Sequence, residues 1–111
     1  MNTVIIINSE IMGNGSEELG RQLMGSFLRK IWSFDKKPGR ILFYNSGVKL
    51  MAEGSAVLDA LSGLADAGVD LIACASCVRY YDLKNKMRIG RISDMTEIAA
   101  IATQDERVVT I

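Results

Sequence analysis

The sequence predicts an α/β domain, a three-layer sandwich with a mostly parallel five-stranded sheet and helices on both faces. Three observations predict it. Short apolar runs at Val4–Ile7, Ile41–Tyr44 and Val69–Ala73 end in polar residues, the pattern of strands buried on both sides. Segments of helical period separate them, as in a flavodoxin-like layering. The chain has 111 residues, 49% hydrophobic and 23% charged, which suits a single domain over residues 1–111 with one core.

Val4–Ile7 is the first strand and Asn8 to Gly15 a loop. Ser16 caps the next helix, and Glu17 and Glu18 suit its positive end. Leu19, Leu23, Phe27 and Ile31 recur every four residues, with Met24, Leu28 and Trp32 beside them. They are expected to form a wide buried stripe on a helix of about 18 residues. Pro38-Gly39 punctuates the chain before the strand Ile41–Tyr44, and Asn45-Ser46-Gly47 turns out of it. Val48 to Gly54 has no clear period. A helix is expected from near Ser55, with Val57, Leu58, Leu61, Leu64 and Ala65 facing in and Gly68 at its C′ position.

Val69–Ala73 is the third strand, with Cys74 at its end and Cys77 in the turn or first helical residues beyond. Arg79 to Lys86 is expected as a short helix and Arg88 to Ile92 as a short fourth strand. Asp94 and Glu97 resemble a capping box ahead of a helix carrying Ile98, Ala99, Ile101 and Ala102. Arg107 to Ile111 is the last strand. The order βαβαβαβαβ gives a mostly parallel sheet, whose ligands bind beyond the C-terminal strand ends. The loops Asn8 to Ser16, Asn45 to Ser55 and Cys74 to Arg79 are expected to meet there.

Composition excludes several function classes. The 13 basic and 13 acidic residues cancel, so no global pull draws the chain to nucleic acid or an anionic membrane. The sequence has no histidine, which rules out Ser-His-Asp and Cys-His catalysis within this chain. Its two cysteines cannot make a conventional four-ligand zinc site alone. They are also too few for a disulfide scaffold. No metal and no cofactor is therefore expected. The apolar start breaks at Asn8-Ser9-Glu10, too early for a membrane span, and lacks the basic start of a signal peptide. A cytoplasmic location is the expectation.

Cys74 and Cys77 carry the chemistry. A thiolate is a strong nucleophile and can hold a transferable sulfur or selenium atom. It needs exposure and a lowered pKa, which a helix start beyond Cys77 and the charge of Arg79 or Lys49 are expected to supply. Cys77 is the more reachable carrier, and Cys74, following an apolar strand, is the resolving or supporting thiol. A small buried hydrophobe is the ordinary alternative for a strand-end cysteine. Asn45, Ser46, Gly47, Lys49, Arg79 and Tyr80 are expected to line a pocket, although Asn45-Ser46-Gly47 also fits a simple Asx-type turn. Gly13-Asn14-Gly15-Ser16 matches no phosphate-loop pattern and reads as a turn with a cap. Tyr80-Tyr81 gates the thiol pocket or packs a subunit interface, and Trp32 is core or interface.

The chain resembles the DsrE/DsrF-like superfamily, and within it the C-terminal domain of YedF-like selenium-metabolism proteins. The resembling segments include Asn2-Thr3-Val4-Ile5-Ile6-Ile7-Asn8-Ser9, Phe43-Tyr44-Asn45-Ser46-Gly47-Val48-Lys49-Leu50 and Cys74-Ala75-Ser76-Cys77-Val78-Arg79-Tyr80-Tyr81. Relatives usually have Cys-Gly-x-Cys-Leu where this chain has Ala75 and Val78. The resemblance implies a doubly wound fold, a homo-oligomer and sulfurtransferase-like persulfide relay through the strand-end cysteine. It also implies a TusA-like domain ahead of Met1 in two-domain relatives, hence a TusA-like sulfur carrier as partner. Three readings stay open on sequence: a sulfur or selenium carrier, a non-enzymatic module binding a partner or small anion, and a CxxC dithiol redox protein.

Overall fold

The apolar runs become strands because both of their faces are covered. In the computed structural model, which describes residues 3–104 and 107–111, Val4, Ile7, Ile41, Leu42, Phe43 and Ile72 are fully buried. Asn2, in the first resembling segment, lies outside the described residues. The elements are β1 (Thr3–Ile7), α1 (Glu17–Ser33), β2 (Arg40–Phe43), a 3-10 helix (Asn45–Met51), α2 (Leu58–Asp66) and β3 (Asp70–Cys74). They continue with α3 (Ala75–Tyr80), β4 (Arg91–Ser93), α4 (Met95–Gln104) and β5 (Arg107–Thr110).

The five strands form one sheet of order β4-β3-β2-β1-β5, every neighbouring pair parallel. The steps from β1 to β4 run in one direction, and the β4-to-β5 connection returns across the sheet. Right-handed crossovers then put α4 on the face opposite α1 and α2. Alternation along the strands fills both layers. Ile5, Ile7, Ile41, Phe43, Leu71 and Ala73 pack with Met24 and Leu28 of α1 and Leu61 and Leu64 of α2. Val4, Ile6, Leu42, Ile72 and Cys74 pack with Ile98 and Ile101 of α4.

Local signals set the ends. Ser16 Oγ accepts the Leu19 N–H at 3.1 Å, a cap worth about 1 kcal/mol. Gly68, at φ +98°, sits past α2 as expected. Its N–H donates to Ala65 O at 3.0 Å and that of Val69 to Leu64 O at 3.0 Å, a Schellman ending that needs the left-handed conformation.

The structure corrects three expectations and resolves one open segment. The buried stripe of α1 is turned by one residue, to Gly20, Met24, Leu28 and Ile31, leaving Leu19 and Leu23 53% and 43% exposed. Gly20 contributes to this: a Cβ there would meet Ile11 Cβ at 2.8 Å, so the helix sets its bare backbone against the loop after β1. Trp32, 40% exposed, lies across Gly63 of α2. Residues 48–54 open with the 3-10 helix, whose Val48 and Met51, three apart, are both buried. The helix expected over Arg79 to Lys86 instead starts at Ala75 and stops at Tyr80, where Asp82 at φ +55° breaks it. The fourth strand is Arg91–Ser93, because the Arg88 N–H bonds Met51 O at 2.9 Å and ties that stretch to the 3-10 helix.

The capping box is half formed. Asp94 Oδ1 accepts the Glu97 N–H at 3.1 Å, while the Glu97 carboxylate takes Arg91 at 2.6 Å and the Ser93 hydroxyl. Among the described residues, no helix is long and apolar enough to cross a membrane.

Candidate functional site: a thiol cleft beyond the sheet

The site begins where β3 passes into α3 without a loop. Cys74 is the N-cap residue and Ala75 the first helical one, so Cys77 falls in the first turn. Cys74 points to the α4 side and is 1% exposed. Cys77 is half-buried and touches both cores, above the end of the sheet.

The loop after β2 reaches over to it. Asn45 adopts φ +50°, a left-handed conformation that asparagine tolerates better than most residues. Its backbone N–H donates to Cys77 Sγ at 3.0 Å. Gly47 makes the approach feasible, because a Cβ there would lie 3.1 Å from the Ile7 carbonyl carbon and closer to its oxygen. The Tyr81 hydroxyl donates to Asn45 Oδ1 at 2.9 Å. Lys49 Nζ stands 4.4 Å from the Tyr81 ring centroid and 4.0 Å from Glu10 Oε1, and the Glu10 N–H donates to Ser46 Oγ at 3.1 Å. The three loops expected at the strand ends do meet.

Asn45, Ser76, Cys77, Tyr80 and Tyr81 line a cleft of about 450 Å³. Tyr80 is 83% exposed and sets its ring edge-on to Tyr81, centroids 5.1 Å apart. Of the residues expected at the pocket, Asn45, Cys77 and Tyr80 line it. Lys49 reaches its tyrosine wall, while Ser46 and Gly47 act behind it on the loop. Arg79 points elsewhere. It lines a separate cleft of about 320 Å³ with Ala75, Val78, Asp82, Lys84 and Ile92.

The electrostatics differ from expectation. Burial pushes the Cys77 thiol above its ordinary value of 9.0, the Asn45 N–H pulls it down, and the adjoining Cys74 thiol pushes it up. A position in the first helical turn is therefore insufficient to lower it, since the sulfur is wedged between two apolar cores. Among the described residues, no group of three or more His, Cys, Asp or Glu side chains gathers as a metal site would need.

The sequence marks Tyr81 as a gate or a subunit-interface residue, and its bond to Asn45 is visible only in the fold. A signal for its position existed: Tyr81 lies four residues after Cys77, the spacing that shares a helix face. Ser76 and Glu10 were missed, and no pattern in the sequence marks them.

A DsrE/DsrF-like family model matches residues 1–111. No curated protein matches the chain. Among solved structures, the MTH1491 protein of unknown function from Methanobacterium thermoautotrophicum superposes with TM-score 0.72 at 17% identity, covering 99% of this chain and 98% of that one. The ychN protein from E. coli gives TM-score 0.67 at 18% identity, covering 99% and 98%. The BT1422 conserved protein of unknown function from Bacteroides thetaiotaomicron gives 0.66 at 13%, covering 99% and 95%. At such identities these three likenesses concern the fold.

Proposed function

The chain belongs to the DsrE/DsrF-like family, and from that premise we propose that it is a sulfur or selenium carrier loaded at Cys77. The observation that carries the reading is the half-buried Cys77 sulfur, open to a cleft and held by the Asn45 N–H at 3.0 Å.

In the proposed step the Cys77 thiolate attacks the outer sulfur of a partner's persulfide. A new S–S bond forms on Cys77, the donor's S–S bond breaks, and the donor thiolate leaves with the electron pair. No oxidant or reductant is needed. The Asn45 N–H supports the anion before attack. The apolar cores on either side of Cys77 cover part of the loaded sulfur. Selenium would travel the same way, on the model of the YedF-like proteins whose Cys-x-x-Cys-x-x-Tyr-Tyr segment this chain resembles at residues 74–81. A TusA-like carrier as donor or acceptor, a homo-oligomeric assembly and a cytoplasmic setting belong to the same proposal.

The test is thiol-dependent transfer from a small-molecule persulfide donor to an acceptor thiol. Transfer that depends on Cys77 supports the proposal, and transfer unchanged in Cys77→Ser sinks it. The buried Cys74 thiol next to Cys77 favours a second reading, a dithiol redox protein. That reading requires a reversible Cys74–Cys77 disulfide under mild oxidation.

A further inference from the structure

The hydrogen bonds around Cys77 form a chain that begins outside the cleft's chemistry. Asn45 is exposed and sits at φ +50°, in a turn closed by the Gly47 N–H bonded to Tyr44 O at 3.0 Å. One side-chain bond adds to that backbone hold. The Tyr81 hydroxyl donates to Asn45 Oδ1 at 2.9 Å, and the Asn45 N–H in turn donates to Cys77 Sγ at 3.0 Å. The Tyr81 ring is itself fixed on two sides, by the Lys49 ammonium 4.4 Å from its centroid and by the edge-on Tyr80 ring. Lys49 is tethered by Glu10 at 4.0 Å.

We infer that Tyr81 is a positioning residue for the reactive thiol: its hydroxyl fixes Asn45 so that the Asn45 N–H stays aimed at the Cys77 sulfur. Tyr81 itself lies four residues beyond Cys77 and acts through Asn45. The inference rests on reading Cys77 as the reactive thiol.

The Tyr81→Phe variant keeps the ring, its cation contact and its neighbour while removing the one donor. Asn45→Gly keeps the left-handed backbone and the N–H while removing the acceptor. The readout is the pH profile of iodoacetamide alkylation at Cys77, located by fragmentation of the alkylated peptide. Loss of the aimed N–H destabilises the thiolate, so the midpoint rises, by up to about one pH unit for a weakened charge-assisted bond. Thiolate then falls about tenfold near neutral pH while its greater basicity recovers about threefold, for a net slowing of about threefold.

A merely structural role gives the opposite sign. Loosening the cleft would admit water and relieve the burial that is the largest cause of the raised thiol, lowering the midpoint. The expected result is a rise in each single variant and no further rise in the double variant. An unchanged or lowered midpoint in Tyr81→Phe, or shifts that add in the double variant, overturns the inference. Because the assay uses no sulfur donor, it can fail while the carrier reading stands, and the carrier reading can fail while it holds.

Discussion

Replacing Gly47 with alanine tests how the fold delivers Asn45 to Cys77. No left-handed strain is involved at Gly47. By propensity alone, alanine in its place should stabilise the helix by about 0.5–1 kcal/mol. The structure predicts the reverse. The added Cβ would stand 3.1 Å from the Ile7 carbonyl carbon, nearer still to its oxygen, and 3.4 Å from Ser9 N. These are backbone atoms at the end of a central strand, fixed by the Tyr44 N–H bonded to Ile7 O at 3.2 Å. Overpacking against them, with that bond strained or lost, costs about 2–4 kcal/mol. For a domain of this size the thermal midpoint should fall by roughly 8–16 °C. Thermal unfolding by circular dichroism measures it. A midpoint equal to or above that of the wild type would refute the reasoning, because the sign separates close backbone approach from propensity.

Two other predictions concern titration. Bonding to Arg91, and then to Ser93, lowers the Glu97 carboxyl from 4.5 to about 2. Its stabilising contribution is therefore complete above pH 4.5 and disappears as pH falls towards about 2. Glu97→Gln should flatten the acid limb of a stability profile, and an unaltered limb would contradict this. For Cys77 the sign is opposite, since its thiol is raised above 9.0 and the contribution is lost as pH climbs through the folded-state value. Because the Cys74 thiol adds to that rise, Cys74→Ala should lower the midpoint of Cys77 alkylation and speed the reaction near neutral pH. A higher midpoint would count against the account.

Much of the fold is legible because burial on two faces leaves a direct mark. Ile5, Ile6, Ile41, Leu42, Leu71 and Ile72 read as central strands whichever layer each serves. Edge elements are harder. β4 is three residues long with a largely exposed pattern, and which neighbour ties down Arg88 depends on Met51, 37 positions away in sequence. The stripe of α1 shifted because periodicity counts apolar side chains, whereas Gly20, which has none, packs against Ile11 and Met12 of the preceding loop. At the site, the positions of Cys74 and Cys77 follow from the strand end. The depth of Cys77 between two cores does not, and that depth reverses the expected direction of its titration. Arg79, two residues after Cys77, turns to a separate cleft, which linear proximity concealed.

Cys77 is the proposed carrier of the chalcogen atom, and the mass of the intact protein after exposure to a persulfide donor shows whether it is loaded. A gain of one sulfur atom is expected, mapped to Cys77, lost in Cys77→Ser and kept in Cys74→Ser. No gain in the wild type, or a gain that survives Cys77→Ser, would contradict it.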